Sequence, residues 1–261
     1  MRIASLPMYD ADPEAVEAWW GAIARALRAQ GVADVPASLE QPAELDAHWR
    51  DPRLLLSQTC GYPLVTSLLH GVQVVGAFRY TAPGCAGFDY RSELMARVDD
   101  AASLAAFAGR TAAINSLDSH SGCNALRGLV APYARNGAFF ADHLISGSHR
   151  ESLAAVRSGA ADIAAIDCVT LAGLRRRDPD LLRGLRVVCS TASAPGLPLV
   201  TSVATAPADL AALRKALQAA CTDSTVADAR EALFIGGFEV ASAEAWQVID
   251  EVRRSAIHIG L

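Results

Sequence analysis

The chain has 261 residues, of which 52% are hydrophobic and 20% charged, and its formal net charge is −5. That length buries a full core, as one large domain or as two lobes, and the composition is that of a soluble globular protein. No basic stripe is visible, so nucleic acid is not an expected partner. Lys215 is the only lysine, which removes lysine chemistry almost everywhere.

The N-terminus, MRIASLPMYD, lacks the long apolar run and small-residue cleavage site of a secretory leader. No stretch reaches the ~18 to 20 apolar residues of a membrane span, so no membrane insertion is expected. The sequence as it stands reads as cytoplasmic, or as periplasmic if a leader has been removed. Cys60, Cys85, Cys123, Cys168, Cys189 and Cys221 are scattered without a C-x-x-C pair. That pattern argues against a zinc site and a compact disulfide framework, and six free, mostly buried thiols are expected. The histidines have no ligand spacing such as H-x-x-x-H, so neither metal nor cofactor is expected.

Ile3 to Leu6 opens as a strand with residues 7–10 as its exit loop. Asp12-Pro13-Glu14 reads as cap, first helical position and first-turn acid. Val16, Trp19, Trp20, Ile23 and Leu27 mark one apolar face of that helix, and Gly31 stops it. Residues 32–53 carry three prolines and connect to a buried strand, Leu54 to Ser57, with one turn of helix expected near Ala43 to Trp49. Residues 58–62 are its exit loop, Pro63 starts a helix to Gly71, and Val72 to Tyr80 is the third strand.

Tyr90 to Val98 is extended but arrives after a Gly-rich turn rather than a helix. A helix near Ser103 to Phe107 precedes the strand Thr111 to Ile114. The polar turn Asn115 to Gly122 follows, then a helix from Cys123 to Ala134. Asp142 to Ser146 is a strand leaving through residues 147–149 into a helix whose Ser148 and Glu151 have capping-box spacing. Ala161 to Ile166 is a strand; Asp167 and Cys168 begin a helix ending at Arg175 to Arg177. Leu185 to Thr191 and Leu199 to Ala204 are extended. From Pro207 the chain is expected to be helical, with Phe234 to Phe238 as a loop.

Alternation of strand and helix implies an α/β protein with a parallel sheet covered on both faces. The two segments that break the alternation are the natural crossings between lobes, near 88–91 and 199–204. One lobe is then 1–88 plus 203–261 and the other 89–202. Ligands in open α/β sheets sit beyond the carboxyl ends of the strands. The exit loops 7–10, 58–62, 116–122, 147–149 and 167–168 gather Tyr9, Thr59, Gly61, Tyr62, Ser119, His120, Ser121, Gly122, His149 and Asp167. The serine turn leads into a helix whose first N–H groups and dipole favour an anion, and Gly122 lets a ligand approach the backbone. The competing reading of that turn is a helix cap by Asp118, Ser119 or Ser121.

The segments LLSQTCGYPL, AAINSLDSHSGCNALR, ISGSHRESLAAVRSGAADIAAIDC and APGLPLVTS resemble the PhnD-like substrate-binding proteins of phosphate, phosphite and phosphonate ABC transporters. The resemblance implies a two-lobed type II periplasmic-binding-protein-like fold, with the ligand cleft between lobes joined by two crossing segments. It implies a non-enzymatic protein for a small phosphorus oxyanion, with a transporter permease as partner. It assigns ligand contacts to the turn Ser119, His120 and Ser121, to His149 and to Asp167; Tyr9 and Tyr62 sit in loops of the right kind. His120 stands where that family usually has threonine. Asp167 beside an anion has two readings: acceptor of a proton from a monoprotonated ligand, or cap of the helix after it. Catalysis by Cys60, or by a serine of the turn with His149 and Asp167, is the enzyme alternative, since some enzymes share such a scaffold.

Overall fold

The computed structural model describes residues 1–9 and 12–260; Asp10, the last residue of the expected first exit loop, lies outside the described residues. The described elements begin with β1 (Ile3–Ser5), α1 (Pro13–Ala29), α2 (Leu45–Trp49), β2 (Leu54–Gln58), α3 (Gly61–Thr66), β3 (Val72–Tyr80), β4 (Asp89–Tyr90) and β5 (Ser92–Arg97). Then come β6 (Thr111–Ile114), α4 (Ala125–Val130), β7 (Asp142–Ile145), α5 (His149–Ser158), β8 (Ile163–Asp167) and α6 (Cys168–Arg177). The chain ends with β9 (Leu185–Ser190), β10 (Ala194–Pro195), β11 (Pro198–Ser202), α7 (Pro207–Thr222), α8 (Ala227–Ala232), β12 (Ile235–Glu239) and α9 (Gln247–Ala256).

Two compact units result. The first comprises Met1–Thr81, Ala86–Asp89 and Pro195–Trp246; the second comprises Ala82–Cys85, Tyr90–Ala194 and the chain from Gln247 on. These units differ from the lobe boundaries expected from the sequence at 82–85 and at two longer segments. Residues 82–85, expected in the first lobe, belong with the second unit. Residues 195–202 belong with the first unit, because β11 is an interior strand of its sheet. The chain from Gln247 belongs with the second.

The first unit's sheet has the order β1-β2-β11-β3-β12. Only β1 and β2 run parallel; β11 is antiparallel to β2 and β3, and β12 to β3. The expectation of a purely parallel sheet is corrected here: β11 and β12 are not each reached from a sheet neighbour by a helical crossover, so nothing forces them parallel. Asp12 caps α1 by accepting from the Ala15 N–H at 3.1 Å, and Pro13 fills the first helical position without wasting a donor. The face bearing Trp19, Trp20, Ile23 and Leu27 is buried against Leu213 and Leu217 of α7 and against Leu55, Val75 and Phe78 of the sheet. Each such side chain contributes about 1.5–3 kcal/mol by leaving water.

Where a loop is expected over Phe234 to Phe238, residues from Ile235 on form the strand β12 and only Phe234 stays in the turn before it. Its glycine pair looks like a breaker in sequence, yet both glycines serve close approach. A Cβ on Gly236 would lie 2.7 Å from Thr81 Cγ2, and one on Gly237 would lie 2.4 Å from Arg79 Nη2. A bulge between Ile235 and Gly237 absorbs the misfit.

The second unit's sheet has the order β7-β6-β8-β5-β9. β6 runs parallel to β7 and β8, and β5 antiparallel to β8 and β9. Period-two alternation divides its residues between two cores. Leu94, Ala112, Ile114, Ile163 and Ala165 face α4 through Leu126 and Val130, and also Ala256 of α9. Met95, Ala113, Ala164 and Ile166 face Leu153 and Val156 of α5 and Leu171 and Leu174 of α6. The Asn124 side chain donates to the Ile249 carbonyl at 3.1 Å, fastening α9 to this unit.

Candidate functional site

Because β7, β6 and β8 are parallel neighbours, their exit loops leave the same edge of the second sheet. That edge collects His149 from β7, the turn Ser119 to Gly122 from β6, and Asp167 as the last residue of β8. Ser119 caps the segment His120–Asn124, its hydroxyl accepting from the Gly122 N–H at 3.1 Å. This first turn is wide: the Asn124 N–H reaches the Ser119 carbonyl at 3.0 Å, and the Ala125 N–H bonds the His120 carbonyl. Bonds that reach back five residues leave the N–H groups of 121 and 123, at the start of the helix, without a carbonyl inside it. They point off the end that carries the positive pole of the peptide dipoles.

The Ser121 hydroxyl and His149 Nε2 are 2.9 Å apart. Asp167 Oδ2 lies 3.4 Å from the same Nε2. Asp167 also caps α6, its Oδ1 accepting from the N–H groups of Val169 at 3.0 Å and Thr170 at 2.8 Å. The Thr170 hydroxyl donates to its Oδ2. The cap reading of Asp167 therefore describes its geometry, with His149 as a second contact. Burial lowers the His149 pKa, against the opposing charge of Asp167 and the Ala165 backbone.

His120 is buried beside Tyr90, ring centroids 6.3 Å apart, and its Nδ1 accepts from the Asn124 side chain at 3.1 Å. Burial pushes its pKa down to about 4, so the ring is neutral at ordinary pH. The space beside Gly122 belongs to the protein itself rather than to an approaching ligand. A Cβ there would sit 1.9 Å from Asn115 Oδ1 and 3.2 Å from His149 Cε1.

Sequence reasoning missed the residues that hold this turn. Ser92, at the start of β5, donates to the Ser121 carbonyl at 2.9 Å. Asn124 bonds His120 of the turn, and Thr170 braces Asp167 beside it. Ser92 and Thr170 carry no motif. Asn124, at the end of the turn in a helical apolar pattern, could have been suspected as a buried polar residue needing partners.

In the first unit, β1 and β2 are parallel and their exit loops are neighbours, carrying Tyr9 and Thr59 to Tyr62. Tyr9 packs edge-on against Tyr80 at 5.2 Å, and Tyr80 accepts from Gln58 Nε2 at 2.8 Å. The Thr59 N–H donates to the Pro198 carbonyl at 3.0 Å, and Gly61 and Tyr62 form the first turn of α3. The recess between Tyr9, Trp19, Phe78 and Tyr80 holds about 20 Å³, room for one water.

Neither histidine cluster is a hydrolytic relay. In such a relay the nucleophile and the carboxylate address opposite ring nitrogens; here Ser121 and Asp167 both address Nε2 of His149. His48 has the relay order, with Ser5 2.9 Å from Nε2 and Glu40 3.5 Å from Nδ1. Ser5 is wholly buried on β1 and also bonds Ser57, so no substrate reaches it. Among the described residues no group of three metal-ligating side chains is present, and no helix is long and apolar enough to cross a membrane.

The model of one family, described as ABC transporter, phosphonate, periplasmic substrate-binding protein, matches residues 10–246. The chain belongs to this family. Its members are binding proteins rather than enzymes, which removes the enzyme alternative. Solved structures agree on the fold, the type II periplasmic-binding-protein fold. PhnD1 from Prochlorococcus marinus, in complex with methylphosphonate, is 15% identical, with TM-score 0.77 and 98% of each chain covered. A binding-protein component of an ABC phosphonate transporter from Pseudomonas aeruginosa is 17% identical, with TM-score 0.77, covering 99% of this chain and 88% of that one. XAC2383 from Xanthomonas citri, bound to ATP, is 18% identical, with TM-score 0.73, covering 98% and 97%. No curated protein matches the chain.

Proposed function

We propose that this family member binds a small phosphorus oxyanion, phosphate, phosphite or phosphonate, at the wide turn of the second unit. The observation that carries the reading is the pair of N–H groups at 121 and 123, at the start of the wide turn beside the Ser121 hydroxyl and His149. Backbone donors at the positive end of a helix suit phosphate-like oxygens, and the hydroxyl and imidazole add two adjustable partners. Ser119 and Gly122 shape the turn, His120 packs it from below as a neutral ring, and Asp167 orients His149. Methylphosphonate in the Prochlorococcus protein supports the same ligand class here. Tyr9, Thr59, Gly61 and Tyr62 are the first unit's own candidates, and the two compact units serve as the two lobes.

The partner is the permease of an ABC transporter, and the place of work the periplasm. Calorimetry with phosphate, phosphite and methylphosphonate tests the reading. At least one should bind with micromolar or tighter affinity and be recovered unchanged after incubation. Failure of all three, or consumption of any of them, sinks it.

A further inference from the structure

The sulfurs of Cys85 and Cys168 lie 3.5 Å apart as hydrogen-bonded thiols within the second unit. Cys168 is the first residue of α6; it is buried, and its N–H is fixed to the Arg91 carbonyl at 3.0 Å. Cys85 ends a half-buried turn closed by its own N–H to the Ala82 carbonyl at 3.0 Å. That turn is built against Cys168. Gly84 has φ +102°, and a Cβ on it would lie 3.0 Å from Cys168 Cβ and 3.2 Å from its Sγ. Only glycine allows both the backbone conformation and the approach.

We propose that Cys85 and Cys168 form a redox-active pair that peroxide closes into a disulfide, locking the turn 82–85 onto α6. The bond needs an S–S separation of about 2.05 Å, so the sulfurs must close by roughly 1.5 Å. The turn supplies that movement, because Cys168 is held by its helix and by Arg91. The hydrogen bond that Cys85 gives lowers the Cys168 pKa, and giving it, together with burial, raises that of Cys85. Cys168, held at the first position of α6 where the helix dipole favours the thiolate, is the attacking sulfur and the mobile Cys85 the resolving one.

In the first step the Cys168 thiolate attacks one oxygen of hydrogen peroxide. An S–O bond forms, the O–O bond breaks, and hydroxide leaves to become water on taking a proton. In the second step the Cys85 sulfur attacks the sulfenic sulfur. The S–S bond forms, the S–O bond breaks, and hydroxide leaves with the Cys85 proton as water. Two thiols are oxidised and one peroxide is reduced to two waters. The water-sized oxidant suits a buried target, and the pair acts whichever ligand the protein carries.

The test uses the full chain with one equivalent of hydrogen peroxide, followed by thiol counting after denaturation and peptide mapping. Free thiols should fall from six to four, with one cross-linked peptide containing Cys85 and Cys168. The thermal midpoint should rise by several degrees, as expected when a long loop is closed. Cys85→Ser and Cys168→Ser should each form no internal disulfide. A bridge at another pair, an unchanged count of six, or sulfinic acid at Cys168 of the wild type without a bridge would overturn the proposal.

Discussion

At the scale of single residues, the serine turn separates two jobs that its sequence presents as one. Ser119 has its hydroxyl on the Gly122 N–H, so Ser119→Ala removes a cap and should cost about 1 kcal/mol of stability in urea titrations. Ser121 faces His149 instead, so Ser121→Ala should leave stability nearly unchanged. It should weaken methylphosphonate binding by about 1–2 kcal/mol, measured by calorimetry. Equal effects of both variants on affinity would contradict this division. The turn itself was legible from its run of small hydroxyl residues before a helical pattern. The role of Gly122 was not, because its neighbour Asn115 returns to it only through the fold.

His120 adds a pH dependence. Its folded pKa of about 4 lies below the ordinary 6.5, so the unfolded chain binds the extra proton between those values. Stability from this residue is complete above pH 6.5 and is lost as pH falls toward 4, worth about 3 kcal/mol over that window. His149 and His48 shift in the same direction, so the difference between wild type and His120→Asn isolates the residue. Asparagine preserves an acceptor for Asn124 without a proton to gain. Urea midpoints at pH 7.5 and 4.5 should show the wild type losing more than the variant; parallel losses would remove His120 from the account.

At the scale of elements, what the sequence hides is which neighbour a segment packs on. The apolar spacing of Ile249 and Val252 announces a helix, but spacing names a face and not its partner. The partner is α4, and Gly128 marks the contact: a Cβ there would lie 2.6 Å from Val252 Cγ1. Two effects compete in Gly128→Ala. Alanine improves helix propensity by up to about 1 kcal/mol, while overpacking costs about 1–3 kcal/mol. The overpacking should win by about 1 kcal/mol, and Gly128→Ala with Val252→Ala should recover most of it. If Gly128→Ala proves stabilising by itself, α9 does not pack there. Residues 234–238 show the same limit, since glycine reads as a breaker unless the strand beside it is already known.

At the scale of the molecule, the sequence shows the fold class through its strand and helix alternation, and it shows the family through its loops. It does not show that the chain passes once more between units, after Trp246, because no break in pattern separates that residue from Gln247. The four tryptophans, Trp19, Trp20, Trp49 and Trp246, all belong to the first unit. Intrinsic tryptophan fluorescence therefore reports one unit, while far-ultraviolet circular dichroism reports both. Each unit has its own core, and a destabilising change confined to one core need not alter the other. Gly128→Ala acts in the second unit. It should shift part of the dichroism transition to lower urea while leaving the fluorescence midpoint where it was. A fluorescence midpoint that moves by the same amount as the dichroism would show the two units unfolding as one cooperative body.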